Sequence, residues 1–260
     1  MATKDELNAR IEKIYNQINS FQATVDLTPS TGSVYKGEIT EYRDVRGYVL
    51  FRKPEHMRII GQYPVVRSTA FDMVSDGKEF RMSLPPKSLF VIGENAAPTN
   101  SLNKLENMRP QAFLDSMLIR PIEKGKEQAI LLDDTDEDSS FYILLVERND
   151  DGGNIIPLRS VWFDRTNLQI IRQVVYSPDS NTTSDTRYSN WTDFGGVSFP
   201  KTIDINRPTD GYGVVLDVVK MEMNVPLTDQ QFVLQQPPGS KLQMIGKPVV
   251  TQPAAVKSQK

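Results

Sequence analysis

The side chains with the most potential for chemistry are a single histidine and one dense run of carboxylates. His56 is the only histidine in the chain and follows Pro54 and Glu55. A histidine can act as a general base, but it then needs a nucleophile and a group that orients it. The sequence contains no Gly-x-Ser-x-Gly motif that would supply a serine nucleophile. We therefore interpret His56 as a residue at the start of a strand.

The carboxylate run occupies residues 133–138 and holds five acidic residues in six positions. Such a run can bind Ca²⁺, but an EF-hand loop needs a glycine at its sixth position and a glutamate at its twelfth. Those positions hold Asp138 and Leu144. A solvated turn between two strands explains the run, and no metal site is predicted.

No cofactor is predicted either. The chain has no cysteine, which excludes disulfides, thiolate nucleophiles and cysteine-ligated metals. Neither a phosphate-binding Gly-x-x-x-x-Gly-Lys motif nor a Gly-x-Gly-x-x-Gly motif occurs. We expect a protein without enzymatic activity. A hydrolase that uses a pair of carboxylates is a weak alternative, because nothing in the sequence singles out two of the many carboxylates as such a pair.

Composition and charge exclude further classes of function. Of 260 residues, 38% are hydrophobic and 24% are charged, which is typical of a globular domain. The net charge is −3, from 30 basic and 33 acidic residues, so nucleic acid is not an expected partner. No apolar run approaches the ~18 residues that span a bilayer. The segment that begins at Met1 does not read as a signal peptide.

Three short helices are predicted around a series of strands. Leu7, Ile11, Ile14 and Ile18 recur at helical spacing and predict a helix that docks on the core by one apolar stripe. Two more helices are expected at residues 101–106 and 110–118, the second with a proline in its first turn.

Alternating apolar and polar residues predict the strands. A turn is expected at residues 29–32, and an Asp76-Gly77 hairpin joins two strands. The predicted strands cover 21–27, 33–42, 45–53, 56–62, 66–75, 78–83, 89–92, 128–132, 141–148, 156–164, 168–177, 183–194, 197–206 and 212–224.

The series of strands predicts a mainly β (α+β) fold. An antiparallel sheet this long has to curl, close or split. We expect a curved sheet that forms an incomplete β-barrel, with helices as a lid on its concave face. Residues 1–242 form a single domain in this prediction, and 243–260 form a disordered tail.

Apolar residues of one parity recur along the early strands, and the chain has nine methionines, which fill irregular space. The apolar residues of this pattern have two possible roles. They either fill the core or line an apolar cavity that accepts a flexible hydrocarbon chain. The residues are Val49, Phe51, Met57, Ile59, Phe71, Met73, Phe80 and Met82.

Five segments in fixed order resemble the Lol chaperones, the periplasmic carriers and receptors of lipoproteins (LolA/LolB-like proteins). The resemblance covers roughly residues 7–232. The segments are GYVLFRKPEHMRI at 47–59, FDMVSDGK at 71–78, VWFD at 161–164, NWTDFGGVSFP at 190–200 and NVPLTDQQF at 224–232.

The resemblance implies a hollow half-barrel that binds lipoprotein acyl chains, or another lipid, and passes the cargo toward the outer membrane. Val49, Phe51, Met57 and Ile59 match cavity-lining strand positions of the family. The other four residues of the same pattern, with Phe113 and Met117 of the predicted helix after Pro110, complete the predicted cavity lining. Lys53 stands where carriers have an arginine that ties the lid to the barrel, and lysine offers only a point charge there.

The receptor branch has an exposed apolar loop that delivers cargo to the membrane. The corresponding candidate is Tyr63, Pro64, Val65 and Val66, which a simple hairpin connection would also explain. Residues 108–121 are more similar to the lid helix of receptors than to that of carriers. A receptor would carry its signal peptide and its lipid-anchored cysteine before residue 1.

The implied location is the periplasm or the inner leaflet of the outer membrane. The expected partners are lipoproteins or lipid acyl chains, with contact to the membrane surface, and the expected state is a monomer. An envelope sensor or scaffold and a glycolipid transporter are alternatives, because one fold can serve several functions.

Overall fold

The computed structural model describes residues 1–33, 38–97, 104–135 and 140–246. The helices are α1 (Lys4–Gln17) and α2 (Pro110–Met117), with 3₁₀ turns at Pro85–Lys87, Lys104–Asn107 and Asp229–Phe232. The strands are β1 (Ser20–Ser33), β2 (Glu38–Glu41), β3 (Val45–Arg52), β4 (His56–Gln62), β5 (Thr69–Ser75), β6 (Glu79–Leu84), β7 (Leu89–Glu94), β8 (Gln128–Thr135), β9 (Ser140–Asn149), β10 (Ile155–Asp164), β11 (Ile170–Tyr176), β12 (Thr182–Phe194), β13 (Val197–Arg207), β14 (Tyr212–Met223) and β15 (Lys241–Ile245).

All the described strands belong to one sheet. Its order is β15-β7-β6-β5-β4-β3-β1-β14-β13-β12-β11-β10-β9-β8, with β2 paired to β1. Every pair is antiparallel except β15 with β7. The two end strands, β15 and β8, each pair on one side only within the described residues, so the sheet is not closed into a barrel. The predicted mainly β fold and incomplete barrel are confirmed.

The alternation in the sequence places the buried residues on one side of the sheet, here called the inner face. In β3 and β4 the inner-face positions are fully buried, as for Val49 and Ile59, which lie directly opposite each other. Phe51 lies opposite Phe21 of β1, with ring centroids 5.2 Å apart. The inner face therefore carries the continuous apolar core.

Both helices pack on this face. α1 buries Leu7 and Ile11 and lies against β13 and β8. Its first turn is capped by Thr3, whose hydroxyl accepts a hydrogen bond from the backbone N–H of Glu6 at 3.2 Å. α2 lies against β4, β5 and β13, which makes it the cover over the middle of the sheet. The predicted helices at the N-terminus and after Pro110 are confirmed.

Residues 29–32 form no turn, which corrects the sequence prediction. β1 continues through them because it is paired on both sides, to β14 and to β2. Pro29 lacks an N–H, but its carbonyl accepts a hydrogen bond from the Tyr42 N–H at 2.9 Å. The strand predicted at 33–42 is reduced to β2 among the described residues.

Two further boundaries differ from the prediction, and one predicted turn is confirmed. Residues 66–68 belong to a turn before β5, in which the Arg67 N–H donates to the Tyr63 carbonyl. The helix predicted at 101–106 is a 3₁₀ turn from Lys104, and its earlier part lies outside the described residues. The Asp76-Gly77 hairpin is confirmed, because the Asp76 carboxylate accepts from the N–H groups of Lys78 and Glu79.

The C-terminal strand extends the ordered part of the chain past residue 242. Gln243, Met244 and Ile245 pair in parallel with β7, so these three residues do not belong to the tail that the sequence predicts. Residues 247–260 lie outside the described part of the chain. Among the described residues no helix combines the length and the apolar character needed to cross a bilayer.

If the apolar stripe of α1 holds that helix on the sheet, Ile11→Ala should destabilise the protein by about 2–5 kcal/mol, because the side chain is 2% exposed and its loss leaves a cavity. Urea unfolding followed by circular dichroism measures this change. The neighbouring Arg10 is exposed, and Arg10→Ala should change stability by less than about 0.5 kcal/mol. Equal effects of the two substitutions would contradict the proposed packing.

Candidate functional site

An apolar cavity of about 390 Å³ opens at one end of the inner face. Its size lies within the ~300–1,000 Å³ of ligand-binding pockets. Most of its lining comes from residues 27–113, and β14 contributes Val214. The lining residues are Leu27, Pro29, Tyr42, Arg43, Val45, Tyr63, Ala70, Phe71, Leu84, Pro86, Lys87, Met108, Phe113 and Val214.

Two glycines shape the sheet beside this cavity. Gly47 of β3 and Gly61 of β4 lie directly opposite each other, and both are buried. A Cβ at Gly61 would lie 2.3 Å from the Phe71 ring, and a Cβ at Gly47 would lie 2.6 Å from a methyl group of Val25 and 2.9 Å from one of Leu27. The space above the glycine pair is thus taken up by the side chains of Phe71, Val25 and Leu27, of which Phe71 and Leu27 border the cavity.

Two of the ten predicted cavity residues border this space, namely Phe71 of β5 and Phe113 of α2. The other eight are at most 4% exposed and lie in the core, where α2 covers the sheet. Those eight are Val49, Phe51, Met57, Ile59, Met73, Phe80, Met82 and Met117.

Most of the lining residues were not predicted from the sequence. Leu27 and Val45 follow the same alternation as the predicted residues, so the strand pattern could have included them. Ala70, Met108 and Val214 come together only through the tertiary fold. Local sequence around these three carries no signal for a shared cavity.

Buried hydrogen bonds from the sheet hold the last turn of α2. The Tyr188 hydroxyl donates to the Ser116 carbonyl at 2.8 Å, and the Gln173 side chain donates to the Asp115 carbonyl at 3.0 Å. The Thr186 hydroxyl donates to the Ser116 hydroxyl at 3.1 Å. Burial raises the pKa of Tyr188, so its hydroxyl stays a neutral donor. These bonds satisfy carbonyls that a helix end leaves without intrahelical partners.

The start of α2 is held by a buried arginine. The Arg109 guanidinium lies over the Phe80 ring, 4.5 Å from its centroid, and donates to the Met108 carbonyl at 2.9 Å. Next to it, Asn107 donates to the backbone carbonyl of Asp210 at 3.3 Å. The last turn of α2 is thus attached to the sheet by hydrogen bonds, and its start by the contact of Arg109 with Phe80 of β6, while its middle packs through apolar side chains.

Lys53 attaches the other helix. Its ammonium group donates to the Tyr15 carbonyl in the last turn of α1 at 2.6 Å and lies 4.1 Å from the Tyr15 ring centroid. Desolvation by burial lowers the pKa of Lys53. A cation near the C-terminus of a helix also interacts favourably with the helix dipole. The predicted latch position therefore contacts α1.

The predicted delivery loop connects β4 to β5 at the mouth of the cavity. Val65 is 92% exposed and Val66 is 72% exposed, whereas Tyr63 is 41% exposed and also lines the cavity. Tyr42, another lining residue, is 45% exposed. Exposed apolar side chains thus stand beside the opening of an apolar cavity, and such clusters mark contact surfaces.

No catalytic arrangement accompanies the cavity in the described part of the chain. His56 begins β4 and packs against the Phe232 ring, 5.6 Å away. No group of three His, Cys, Asp or Glu side chains that could hold a metal is found among the described residues. In the carboxylate run, Asp133 pairs with Arg165 at 3.0 Å, and residues 136–138 lie outside the described part.

A second cleft is lined by two carboxylates, Asp115 and Glu127. Each carboxylate, however, already faces an arginine. Glu127 forms an ion pair with Arg159 at 2.8 Å, and Asp115 forms one with Arg120 at 3.3 Å. Burial by itself raises the pKa of Glu127, but hydrogen bonds from Arg159 and from the Glu123 N–H lower it overall, which favours an ionised Glu127. Burial raises the pKa of Asp115, although Arg120 opposes this. Glu127 is therefore a poor candidate for the general acid of a carboxylate pair.

Comparison with known proteins rests on structure, because no protein-family model matches the chain and no curated protein is similar to it in sequence. A LolA-superfamily protein from Nitrosomonas europaea superposes with a TM-score of 0.57 at 18% identity, covering 90% of this chain and 99% of that one. A putative outer membrane lipoprotein-sorting protein domain from Vibrio parahaemolyticus gives 0.56 at 11% identity, covering 87% and 94%.

A DUF1329-family protein from Desulfovibrio piger is similar to the same degree, with a TM-score of 0.57 and 16% identity over 88% of this chain and 95% of that one. At these identities the likeness establishes the fold. The chain has the fold of the LolA superfamily and of lipoprotein-sorting domains, which confirms the resemblance seen in the sequence at the level of architecture.

Removing the Tyr188 hydroxyl tests the attachment of α2. Tyr188→Phe should destabilise the protein by about 1–3 kcal/mol, because the buried Ser116 carbonyl loses its donor. Chemical denaturation measures the change, and Tyr48→Phe on an exposed side chain is the matched control. A Tyr188→Phe variant as stable as the Tyr48→Phe variant would show that this hydrogen bond does not stabilise α2 on the sheet.

Proposed function

We propose that the protein binds lipid acyl chains in the apolar cavity without enzymatic activity and transfers lipid or lipoprotein cargo toward the outer membrane. The observation that supports this most strongly is the position of an open apolar cavity directly beside an exposed apolar loop. The lipoprotein-sorting fold of the structural neighbours agrees with it.

The energetics of such transfer need no nucleotide. A hydrocarbon chain gains ~0.8 kcal/mol for each methylene group that leaves water. It gains little on moving between a bilayer and an apolar cavity, since both surroundings are apolar. Small differences in affinity then decide the direction of transfer, which agrees with the absence of nucleotide-binding motifs from the sequence.

The cavity enlarges in this proposal when α2 moves away from the sheet. Beneath α2 lies the layer of buried apolar side chains that includes Phe51, Met57, Met73 and Met82. Methionine side chains are flexible and adapt to partners of different shape. These residues would then become cavity wall in the cargo-loaded state, with Phe113 and Met117 moving on the helix.

In this proposal, cargo reaches the membrane through the loop of Tyr63, Pro64, Val65 and Val66. Apolar side chains at a loop tip insert into the interface of a bilayer, where each fully buried one gains up to about 1.5–3 kcal/mol. Contact at this loop would bring the cavity mouth against the membrane surface. The proposed location is the periplasm, on the inner leaflet of the outer membrane, where a lipid anchor would hold a monomer.

Filling the cavity should abolish acyl binding without unfolding the protein. Ala70 lines the cavity and is half-buried, so Ala70→Trp places a large ring in the space with little change to the core. We expect at least about a tenfold loss of affinity for a fluorescent fatty acid and for a diacylated lipopeptide, the equivalent of ~1.4 kcal/mol. Fluorescence titration and native mass spectrometry measure both.

The control for this variant is Ala9→Trp on the exposed face of α1. Thermal unfolding of both variants separates loss of the site from loss of the fold. Unchanged acyl binding by a folded Ala70→Trp variant would remove this cavity as the binding site. Failure of the unmodified protein to bind either probe would refute the proposed function.

The loop at residues 63–66 should contribute to binding of the protein to membranes, but not to its affinity for acyl chains in solution. The double substitution Val65→Glu with Val66→Glu should reduce co-flotation with phosphatidylcholine vesicles several-fold, because carboxylates resist transfer into the interface. Fatty-acid affinity should stay within about twofold of the unmodified protein.

A matched double variant controls for added charge. Val219→Glu with Val233→Glu changes two valines that are 51% and 48% exposed and do not line the cavity. Equal loss of vesicle binding in the two double variants would contradict a specific role for the loop at residues 63–66.

A further inference from the structure

The cleft beside the end of α2 is a separate space from the apolar cavity. The cavity takes its α2 wall from Phe113, whereas the cleft takes part of its wall from Asp115 and from Leu118 and Arg120 after the helix. Among the described residues the two spaces share no lining residue. Most of the remaining cleft wall comes from the end of β9, the start of β10 and the end of β11. Acyl binding in the cavity leaves this cleft without a function.

One strand of the cleft has an unpaired side. β10 pairs with β9 from Ile155 onward, but its pairing with β11 begins only at Arg159. Within the described residues, the stretch 155–158 therefore has a neighbouring strand on one side only. Ile155 is 62% exposed, and residues 156–158 line the cleft. A free strand edge of this kind pairs with an extended peptide through backbone hydrogen bonds.

A β-bulge shapes this edge. The register between β10 and β9 shifts between Pro157 and Arg159, which leaves Leu158 as the extra residue. Such a bulge bends its strand and leaves the extra residue out of the ladder, and bulges are frequent next to functional sites. In the described part of the chain, no backbone hydrogen bond joins residues 155–158 to a segment other than β9. The backbone on the open side of this edge is therefore not used by the protein itself.

Arg148 supplies a cationic group to the same cleft. Its side chain is exposed and lies on β9 directly opposite Ile156 of β10. Both carboxylates of the cleft already form ion pairs, with Arg159 and Arg120. Arg148 contributes to the lowered pKa of Glu127. Among the charged residues that line the cleft, Arg148 is the one without an ion pair in the described structure.

Three acidic residues close to Arg148 in the chain leave its guanidinium group available. Glu147 accepts a hydrogen bond from the Gln128 side chain at 3.0 Å. The Asp150 carboxylate accepts hydrogen bonds within its own turn. Neither of these residues lines the cleft, and Asp151 does not line it either. Because a guanidinium group is planar and matches a carboxylate with two parallel hydrogen bonds, an entering carboxylate is a suitable partner.

The rest of the lining is largely apolar. A ligand for this cleft therefore combines an anionic group, apolar side chains and backbone groups that can pair with a strand. An extended peptide has all three, whereas a free phosphate or a lipid head group has no backbone to pair. The apolar side chains and rings are Leu118, Ile156, Pro157, Leu158, Val175, Tyr176 and Pro178.

We propose that the cleft binds an extended peptide segment, which pairs with the free edge of β10 and places an acidic side chain against Arg148. Main-chain hydrogen bonds supply the affinity, and the side-chain contacts supply the selectivity. At ~3.3 Å per residue, the edge at 155–158 pairs with a segment of about four residues. The proposal concerns a different site from the acyl cavity and a ligand without an acyl chain, so it goes beyond the proposed function.

Three hexapeptides with blocked ends test the charge preference. They have the same alternation of valine and threonine and differ at one central position, which holds glutamate, glutamine or lysine. Fluorescence anisotropy measures the binding of each labelled peptide to the full chain. The glutamate peptide should bind at least about tenfold more tightly than the other two, as expected for hydrogen bonds between charged groups.

Substitutions at Arg148 test its role. Arg148→Gln should lower the affinity for the glutamate peptide to that for the glutamine peptide, and leave the glutamine peptide within about twofold. Arg148→Lys should keep part of the preference, because lysine keeps the charge and loses the planar fork. The matched control is Arg10→Gln, at an exposed arginine of α1 that does not line the cleft. This control should keep the full preference, and thermal unfolding verifies that each variant is folded.

Backbone methylation of the glutamate peptide tests the strand pairing. One version carries N-methyl groups at the odd positions and another at the even positions, so each leaves one edge of the peptide strand intact. The version that is methylated on the edge facing β10 should lose at least about tenfold in affinity. The other version should bind like the unmodified peptide, since its pairing edge is unchanged.

The outcomes separate this proposal from the proposed function. The proposal is wrong if the glutamate peptide does not bind, or if its preference survives Arg148→Gln. If both methylated peptides bind unchanged and inorganic phosphate displaces them, the cleft binds anions and not a strand. Ala70→Trp should leave peptide binding intact. Peptide binding without any acyl binding would refute the proposed function alone, and acyl binding without peptide binding would refute this inference alone.

Discussion

An open sheet with one apolar face has to bury that face against something other than itself, and the rest of this structure depends on that constraint. The sheet does not close within the described residues, so its inner face is covered by α1 and α2. Burial of apolar area at about 25 cal/mol per Å² drives this packing. The two short helices do not cover the whole face. The cavity opens beyond the first turn of α2, where Met108 and Phe113 form part of its wall.

The attachment of α2 differs from that of an ordinary core helix. Its middle is apolar, but both ends are held by polar groups, with Tyr188 and Gln173 at one end and Arg109 at the other. Buried polar bonds are directional, and breaking them leaves unsatisfied groups at a cost of about 1–3 kcal/mol each. The helix therefore has a defined closed position. Opening it would require exchanging these bonds for bonds to water, a cost that cargo binding has to offset.

The apolar loop lies at the opening of the cavity. Val65 and Val66 present apolar surface there, beside the lining residue Tyr63. This combination of an apolar interior and an apolar tip suits handling of amphiphiles at an interface.

The sequence by itself determined most of the strands, both α-helices and the fold class, because alternation and helical spacing record directly which side chains face the core. It did not predict β15, which lies mostly in the stretch predicted as a disordered tail. It also identified the exposed loop at residues 63–66, although not its position at a cavity. It failed at residues 29–32, where proline and glycine suggest a turn but pairing with β14 and β2 continues β1.

Only the tertiary structure decided which apolar residues line empty space. Val49 and Phe71 look alike in the sequence, yet Val49 lies in the packed core and Phe71 borders the cavity. The difference depends on where α2 begins and on how Gly61 accommodates the Phe71 ring. Those relations join residues far apart in the chain, so no local pattern contains them.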